Sequence, residues 1–209
     1  MHLSEILKTE LAKLRDRMRV DGGATTADAV ELDIVETGTI RNPGEAYRIN
    51  DGWSTLTFAE EVAEQGGRLT AIDLDVSAAR DVLSVHGLMD GVTFFEGHSI
   101  DALSGMLANA YGNAKKTNKG QLLLGGDGFA DVVFLDSDNA AGLIFHEYLI
   151  AKRLVRSPGL IIVDDVDMTS DVVIKGHQLI PWLDAHGTPY RLEKRHGDGY
   201  ETGVLVIEV

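Results

Sequence analysis

The sequence predicts a doubly wound α/β fold on a mostly parallel sheet, and three of its patterns carry that prediction. Short runs of apolar and β-branched residues alternate with segments of helical periodicity along most of the chain. These runs are continuously apolar, which is typical of parallel strands buried on both faces. The last two strand-like runs lie too close together for a parallel crossover, so they predict an antiparallel hairpin.

Each element follows from its own local pattern, and together they predict one domain over residues 1–209. The predicted strands are residues 32–35, 68–74, 92–95, 131–135 and 160–163, followed by a hairpin of 190–195 and 204–209. The predicted helices are residues 3–18, 54–64, 77–86, 100–110, 144–155 and 178–184. We expect residues 1–30 to form a helical extension and residues 112–128, which are polar, to form a loop insertion.

Composition argues against several classes of function. The formal net charge of −14 repels phosphate backbones and no basic stripe interrupts it, so nucleic acids are poor substrate candidates. No apolar run is long enough to cross a bilayer, and no secretory signal is visible. The chain has no cysteine, which removes thiolate metal sites and fits a reducing cytoplasm.

Acidic and small polar residues follow each of the five predicted parallel strands. They are Glu36 and Gly38, then Asp73, then Gly97, His98 and Ser99, then Asp136, and finally Asp164 and Asp165. Because open α/β sheets bind ligands outside the carboxyl ends of their strands, we expect one site there. Any single member of the set is more typical of a loop carboxylate or a helix cap than of a binding site, whereas the ordered set favours a binding site.

This ordered set resembles the class I S-adenosylmethionine (SAM)-dependent methyltransferases. Within them it is most similar to the catechol O-methyltransferase-like and cephalosporin-hydroxylase-like branch. The resemblance covers residues 31–209, and the terminal hairpin matches the seven-stranded sheet of that fold. It implies SAM as cofactor and a small molecule as methyl acceptor, which is methylated on an oxygen.

The resemblance implies a set of cofactor-binding residues. They are Glu36, Gly38, Ser54, Asp73, Leu74, Gly97, His98, Ser99 and Asp136. Asp73 is expected to accept hydrogen bonds from both ribose hydroxyls, and Gly38 lets the backbone approach where a Cβ would obstruct it. Glu36 is expected to orient its loop or to meet the methionine ammonium group.

Rossmann dehydrogenases also place an acid after the second strand, but the turn after Glu36 lacks their second and third glycines, so NAD is not expected.

The resemblance also implies a divalent cation at Asp136, Asp164 and Asp165. Carboxylate oxygens without His or Cys suit Mg²⁺, Mn²⁺ or Ca²⁺, although the same aspartates are also explained as structural caps. The catechol-type enzymes carry a lysine base three residues after the first metal aspartate, where this chain has Asn139. Asn139 and His146 are therefore the catalytic candidates, with His177 or the ion as further substitutes for the base. The missing lysine also leaves open a SAM-binding protein without methyl transfer.

Two features of the chain have more than one interpretation. Residues 39–51 are expected to form a mobile flap in which Arg41 or Arg48 pairs with a carboxylate, or else a solvent loop. The apolar stripe of the first helix fits both a dimer contact and a cover over the substrate. The identity of the acceptor depends on loops that match no known pattern.

Overall fold

The computed structural model describes residues 1–22, 30–44, 53–112, 115–116, 122–123, 129–172, 174–196 and 201–209. The strands of its main sheet are β1 (Leu32–Thr37), β2 (Gly67–Asp73), β3 (Val92–Glu96), β6 (Ala130–Leu135), β7 (Val155–Val166), β8 (Tyr190–His196) and β9 (Glu201–Glu208). The helices are α1 (Leu3–Gly22), α2 (Ser54–Gln65), α3 (Ser77–His86), α4 (Ser99–Gly112), α5 (Ala141–Leu154) and α6 (Gly176–Ala185). A short antiparallel pair, β4 (Lys115–Lys116) and β5 (Leu122–Leu123), lies between α4 and β6.

The main sheet has seven strands in the order β3-β2-β1-β6-β7-β9-β8. Its first five strands are parallel, and β9 runs antiparallel to both β7 and β8. The predicted sheet with its terminal hairpin is therefore confirmed. Burial explains why β9 rather than β8 pairs with β7: residues 204–207 are apolar and buried, whereas β8 alternates charged residues along the exposed edge.

Helices cover both faces of the sheet, so alternate residues of each strand enter two separate cores. One core joins α1, α2 and α3 to one face and includes Ile34, Phe134 and Ile162. The other joins α4, α5 and α6 to the opposite face and includes Val35 and Val163. This double burial is the physical reason that the strands are continuously apolar in sequence.

The apolar stripe of α1 is buried inside the chain itself. Leu7, Leu11 and Leu14 have no exposed surface and belong to the core on the first face of the sheet. Arg15 fixes the same helix to α2 through a buried ion pair of 2.6 Å with Glu61. The stripe is therefore explained by the chain's own core, and neither the dimer contact nor the substrate cover is needed to account for it. None of the described helices is long and apolar enough to cross a membrane.

Most boundaries shift by a few residues, and the largest differences lie at the start of β7 and in the insertion. The helix predicted to run through Val155 ends at Leu154, and β7 begins at Val155 because that residue pairs with Ala130 of β6. The predicted insertion at residues 112–128 contains the β4–β5 pair. Residues 113–114, 117–121 and 124–128 of the insertion lie outside the described residues, as do residues 23–29 of the predicted extension.

A buried ionic network joins three strands at the amino edge of the sheet. Asp131 has no exposed surface, and its carboxylate accepts the backbone N–H of Asp33 at 2.7 Å. Arg156 donates two hydrogen bonds to Asp131 and one to Asp33. Both carboxylate oxygens of Asp131 are thus paired, so the network links β6 to β1 and β7.

We expect Asp131→Ala to lower the free energy of unfolding by about 3–5 kcal/mol, because it leaves a partly buried guanidinium without its main partner. Urea denaturation measures the loss. Asp90→Ala, at an exposed loop residue, is the control and should change stability by less than about 0.5 kcal/mol. Equal stabilities for the two variants would show that the network contributes nothing.

Candidate active site

A pocket of about 130 Å³ lies at the carboxyl edge of the sheet, beside the point where the strand order reverses between β1 and β6. Its lining residues are Gly38, Ile72, Asp73, Leu74, Gly97, His98, Ser99, Ser137, Asp138 and Leu143. Six of the nine residues assigned to the cofactor from sequence lie in this lining. Glu36, Ser54 and Asp136 lie outside the lining. Four lining residues were not assigned to the cofactor from sequence, namely Ile72, Ser137, Asp138 and Leu143. Apolar residues such as Leu143 were missed because an apolar residue in a helix is interpreted as core.

Gly38 lies in the loop that follows β1, called the first loop below, at a point where this loop comes close to the loop that follows β6. Its φ is +81°, and a Cβ at this position would lie 2.2 Å from the backbone oxygen of Asp136. The Gly38 amide donates to the Ile72 carbonyl at 2.9 Å, which also fixes the loop to the end of β2. No side chain fits here, so glycine is required by both conformation and space.

Asp73 connects the pocket to the first loop. Its Oδ2 accepts hydrogen bonds from the backbone N–H of Thr39 at 2.7 Å and from the Thr39 hydroxyl at 3.1 Å. Its Oδ1 accepts the backbone N–H of Leu74 at 2.7 Å. Oδ2 already accepts two hydrogen bonds but Oδ1 accepts only one, so Asp73 can hold the loop and still receive a ligand hydroxyl at Oδ1.

Glu36 lies beneath the first loop and is completely buried. Ser54, the first residue of α2, donates a hydrogen bond of 2.5 Å to Glu36 Oε1, whereas Oε2 has no hydrogen-bond partner among the described residues. Burial raises the pKa of Glu36 to about 8, and the neighbouring carboxylates of Asp136 and Asp73 act in the same direction. Glu36 is therefore protonated at neutral pH in this state, and a cationic group placed against Oε2 would favour its ionisation.

The three aspartates predicted to bind a metal do come together. Asp136, Asp164 and Asp165 each offer a carboxylate oxygen, and these oxygens lie within 4.8 Å of one another. Asp164 is completely buried and its Oδ1 has no hydrogen-bond partner among the described residues. Asp165 has a φ of 53°, a backbone conformation that is strained for a residue with a Cβ.

Two buried cations that sequence reasoning missed lie against these aspartates. Lys175, which is 1% exposed and directly precedes α6, donates to Asp136 Oδ1. Arg195 of β8 donates to Asp164 Oδ2 at 2.5 Å and to Asp165 Oδ1 at 3.1 Å. Burial alone lowers the pKa of Lys175, but the three carboxylates more than offset it and raise that pKa, so the ammonium stays charged. Among the described residues of this cluster, three carboxyl groups thus face two cations.

Asp164 remains the least compensated member of this cluster. Its burial, and then the neighbouring Asp165, raise the pKa of Asp164 above that of an ordinary aspartate in spite of Arg195. A lysine that begins a helix and an arginine in an edge strand are normally surface residues. The sequence therefore carried no signal that either residue reaches the site.

The other predicted residues are distributed as follows. Asn139 lies in the exposed loop before α5, and His146 lies on the exposed side of α5. His177 Nε2 is buried without a hydrogen-bond partner among the described residues. Arg41 is exposed and donates to the Asp136 carbonyl at 3.3 Å, so the first loop does contact the site. Residues 45–52, with Arg48, lie outside the described residues, so the flap stays a prediction.

Comparison with known proteins identifies the family. A family model described as a methyltransferase domain matches residues 49–166, more than half of the chain. The chain belongs to this methyltransferase family. No curated protein sequence matches it.

Solved structures share the fold of this methyltransferase at low sequence identity. Human methyltransferase-like protein 13, in complex with SAH, aligns with a TM-score of 0.54 at 15% identity, over 86% of this chain and 72% of that one. A putative rRNA-methylase from Clostridium thermocellum gives 0.53 at 14% identity over 95% of both chains. A SAM-dependent methyltransferase from Aquifex aeolicus gives 0.50 at 15% identity, over 96% of this chain and 98% of that one. The fold is thus that of the class I methyltransferases.

We expect the stability of the ligand-free methyltransferase to fall as the pH rises from 4.5 to about 8. Because the pKa of Glu36 is raised on folding, the folded chain binds more protons than the unfolded chain in this range. The contribution is complete below the ordinary glutamate pKa and is lost as the pH passes the raised value.

Urea denaturation at a series of pH values measures this fall. Glu36→Gln, which is neutral at every pH, should make the fall shallower. Glu64→Gln changes an exposed glutamate of α2 and should leave it unaltered. The same pH dependence in Glu36→Gln and in the unsubstituted chain would contradict the assignment.

Proposed function

We propose that this chain is a SAM-dependent methyltransferase that methylates an oxygen of a small molecule. The observation that carries the proposal is the pocket in which Gly38, Asp73, Leu74 and Ser99 meet at the reversal of the strand order. Family membership supports methyl transfer. The SAH complex of methyltransferase-like protein 13, a protein of the same fold, supports the choice of cofactor.

The residues of the pocket divide the binding of SAM between them. Asp73 is placed to accept the ribose hydroxyls, and Leu74, which is 62% exposed, offers an apolar surface beside it. Gly38 allows close approach of the first loop. Glu36 lies outside the lining, and its Oε2, which has no partner among the described residues, is available to an ammonium group that reaches it. SAM supplies an electrophilic methyl group, and its transfer to an acceptor hydroxyl leaves SAH and one proton. We assign the chain's role chiefly to positioning the two reactants.

Charge supports a small acceptor rather than a nucleic acid. The relative from Clostridium thermocellum is titled a putative rRNA-methylase, but this chain carries a formal charge of −14. Nucleic-acid enzymes of this kind need basic surface to neutralise phosphates. The residues nearest the proposed acceptor side are Asp136, Asp164 and Asp165, which would repel a polyanion.

The same three aspartates fit a divalent cation and support the catechol O-methyltransferase-like branch. Among the described residues, the buried Oδ1 of Asp164 has no hydrogen-bond partner, and the three carboxyl groups face two cations, Lys175 and Arg195. Asp136, Asp164 and Asp165 would hold the ion through their remaining oxygens, as hard ligands that suit Mg²⁺ or Mn²⁺. When bound, the ion lowers the pKa of an acceptor hydroxyl. This branch is a proposal that rests on the cluster, and Asn139 and His146 stay predicted sources of catalysis.

We expect the unsubstituted chain to bind SAM and SAH but not NAD, and Asp73→Ala to weaken SAM binding by about 1–3 kcal/mol. The loss has two sources, the ribose contact and the hydrogen bonds that hold Thr39 in place. Calorimetry measures the dissociation constant for SAM in the unsubstituted chain and in Asp73→Ala. Asp75→Ala is the matched control, because Asp75 caps Ser77 in the neighbouring turn and lies outside the pocket lining. Unchanged affinity in Asp73→Ala would overturn the cofactor assignment.

Methyl transfer itself is tested with isotopically labelled SAM and a panel of phenols and vicinal diols. We expect label in at least one acceptor. Binding of SAM with no label in any member would favour a SAM-binding protein without transfer.

We expect Mg²⁺ or Mn²⁺ to raise the melting temperature and to be required for turnover. Asp164→Asn should abolish both responses while SAM affinity stays within about twofold, since Asp164 lies outside the SAM pocket lining. Asp167→Asn, which alters an aspartate bonded to Thr169 in its own turn, is the control and should keep both responses. Full methyl transfer in excess EDTA would show that Lys175 and Arg195 supply all the positive charge that the site uses.

A further inference from the structure

Glu147 is a buried glutamate in the middle of α5, on the side of the helix that faces the sheet. It has no exposed surface, and its helical neighbours Ile144, Tyr148 and Ala151 are equally buried in the core of that face. An apolar side chain would suit this position, because removing a carboxylate from water is costly unless partners replace the water. The partners of Glu147 therefore show what compensates its burial at this position.

Three hydroxyl groups converge on this carboxylate. Ser137 donates to Oε1 at 2.6 Å, and Thr37 donates to Oε2 at 3.1 Å. The Ser99 hydroxyl also faces this carboxylate and acts to lower its pKa. Donors of this kind stabilise the charged form of a buried acid, and they oppose the effect of burial, which raises the pKa of Glu147.

The three hydroxyls lie at the carboxyl ends of three different strands, beside the cofactor pocket. Thr37 ends β1 and directly precedes Gly38, Ser137 follows β6, and Ser99 opens α4 after β3. Gly38, Ser99 and Ser137 line the pocket, whereas Glu147 does not. Among the described residues, Glu147 accepts hydrogen bonds from Thr37 and Ser137, and Ser99 faces the same carboxylate.

We propose that Glu147 is the positioning residue of the cofactor pocket. Its carboxylate fixes the spacing and orientation of the loops that follow β1, β3 and β6, and through them it sets the geometry in which SAM is received. This inference rests on the proposed function, because it assumes that SAM occupies the pocket. Glu147 acts through Thr37, Ser99 and Ser137 and not by touching the ligand.

Binding of SAH to Glu147→Gln tests the proposal. The amide keeps the size of the side chain but replaces one acceptor oxygen with a donor, so the hydroxyl bonded there loses its acceptor and must turn to accept from the amide instead. We expect the dissociation constant for SAH to rise about tenfold, measured by calorimetry at a temperature where circular dichroism shows the variant to be folded.

The matched control is Glu61→Gln. Glu61 is also a buried glutamate with a short hydrogen bond, here from Arg15. It belongs to α2, and this bond joins α2 to α1. Glu61→Gln should lower the melting temperature yet leave the dissociation constant within about twofold of the unsubstituted chain. A general loss of stability would affect both variants alike, whereas a positioning role separates them.

A double-mutant cycle with Ser137→Ala supplies a readout that a merely structural role would not change. If Ser137 acts on SAH through Glu147, then Ser137→Ala should weaken binding in the unsubstituted chain and have much less effect in Glu147→Gln. Additive effects of the two substitutions on SAH affinity would contradict the coupling. If Glu147→Gln does not fold, Thr37→Val and Ser137→Ala form the cycle in its place, since both donors reach the same carboxylate.

The outcomes separate this inference from the proposed function. Failure of the unsubstituted chain to bind SAH would overturn the proposed function, and the inference would fall with it. Binding by the unsubstituted chain with an equal dissociation constant in Glu147→Gln would overturn the positioning role alone. A tenfold loss in Glu147→Gln, together with an unaffected Glu61→Gln, would establish it.

Discussion

The carboxyl edge of the sheet has to hold buried carboxylates inside an otherwise apolar molecule, and the arrangement of the site follows from how they are compensated. Glu36 and Glu147 are met by hydroxyl groups, whereas Asp164 is met by the guanidinium of Arg195. Hydroxyl donors remove part of the desolvation cost without neutralising the charge. A guanidinium neutralises it and adds directed hydrogen bonds. The two solutions separate the proposed cofactor side of the site from the proposed acceptor side.

The two edges of the sheet handle buried charge in different ways. At the amino edge, Asp131 and Arg156 form a network in which both oxygens of the aspartate are paired. At the carboxyl edge, one oxygen each of Glu36 and Asp164 has no partner among the described residues. Unpaired buried acceptors cost stability, so their location at the ligand-binding edge fits groups that are completed by a ligand.

The acidic cluster also shows how a charged group can be supplied from a different part of the chain. The catechol-like pattern has a lysine at the position of Asn139, and that amine is missing from the local sequence. In space, the ammonium of Lys175 bonds to Asp136, the residue three positions before Asn139. The amine reaches the site from the residue before α6, and its contact with the aspartates keeps it charged.

The sequence by itself determined the elements, the sheet with its hairpin and most of the pocket lining. Those properties depend on local patterns, namely apolar runs, helical periodicity and polar residues at strand ends such as Gly38 and Asp73, which parallel strands bring to one edge. Only the tertiary structure decided where isolated charged residues go. Nothing in the neighbourhoods of Lys175 and Arg195 marks them as buried, whereas helical spacing places Glu147 on the buried face of α5 but does not identify its partners. The partners of these residues depend on which side chains the fold brings together at the sheet edge, and no local sequence pattern predicts that.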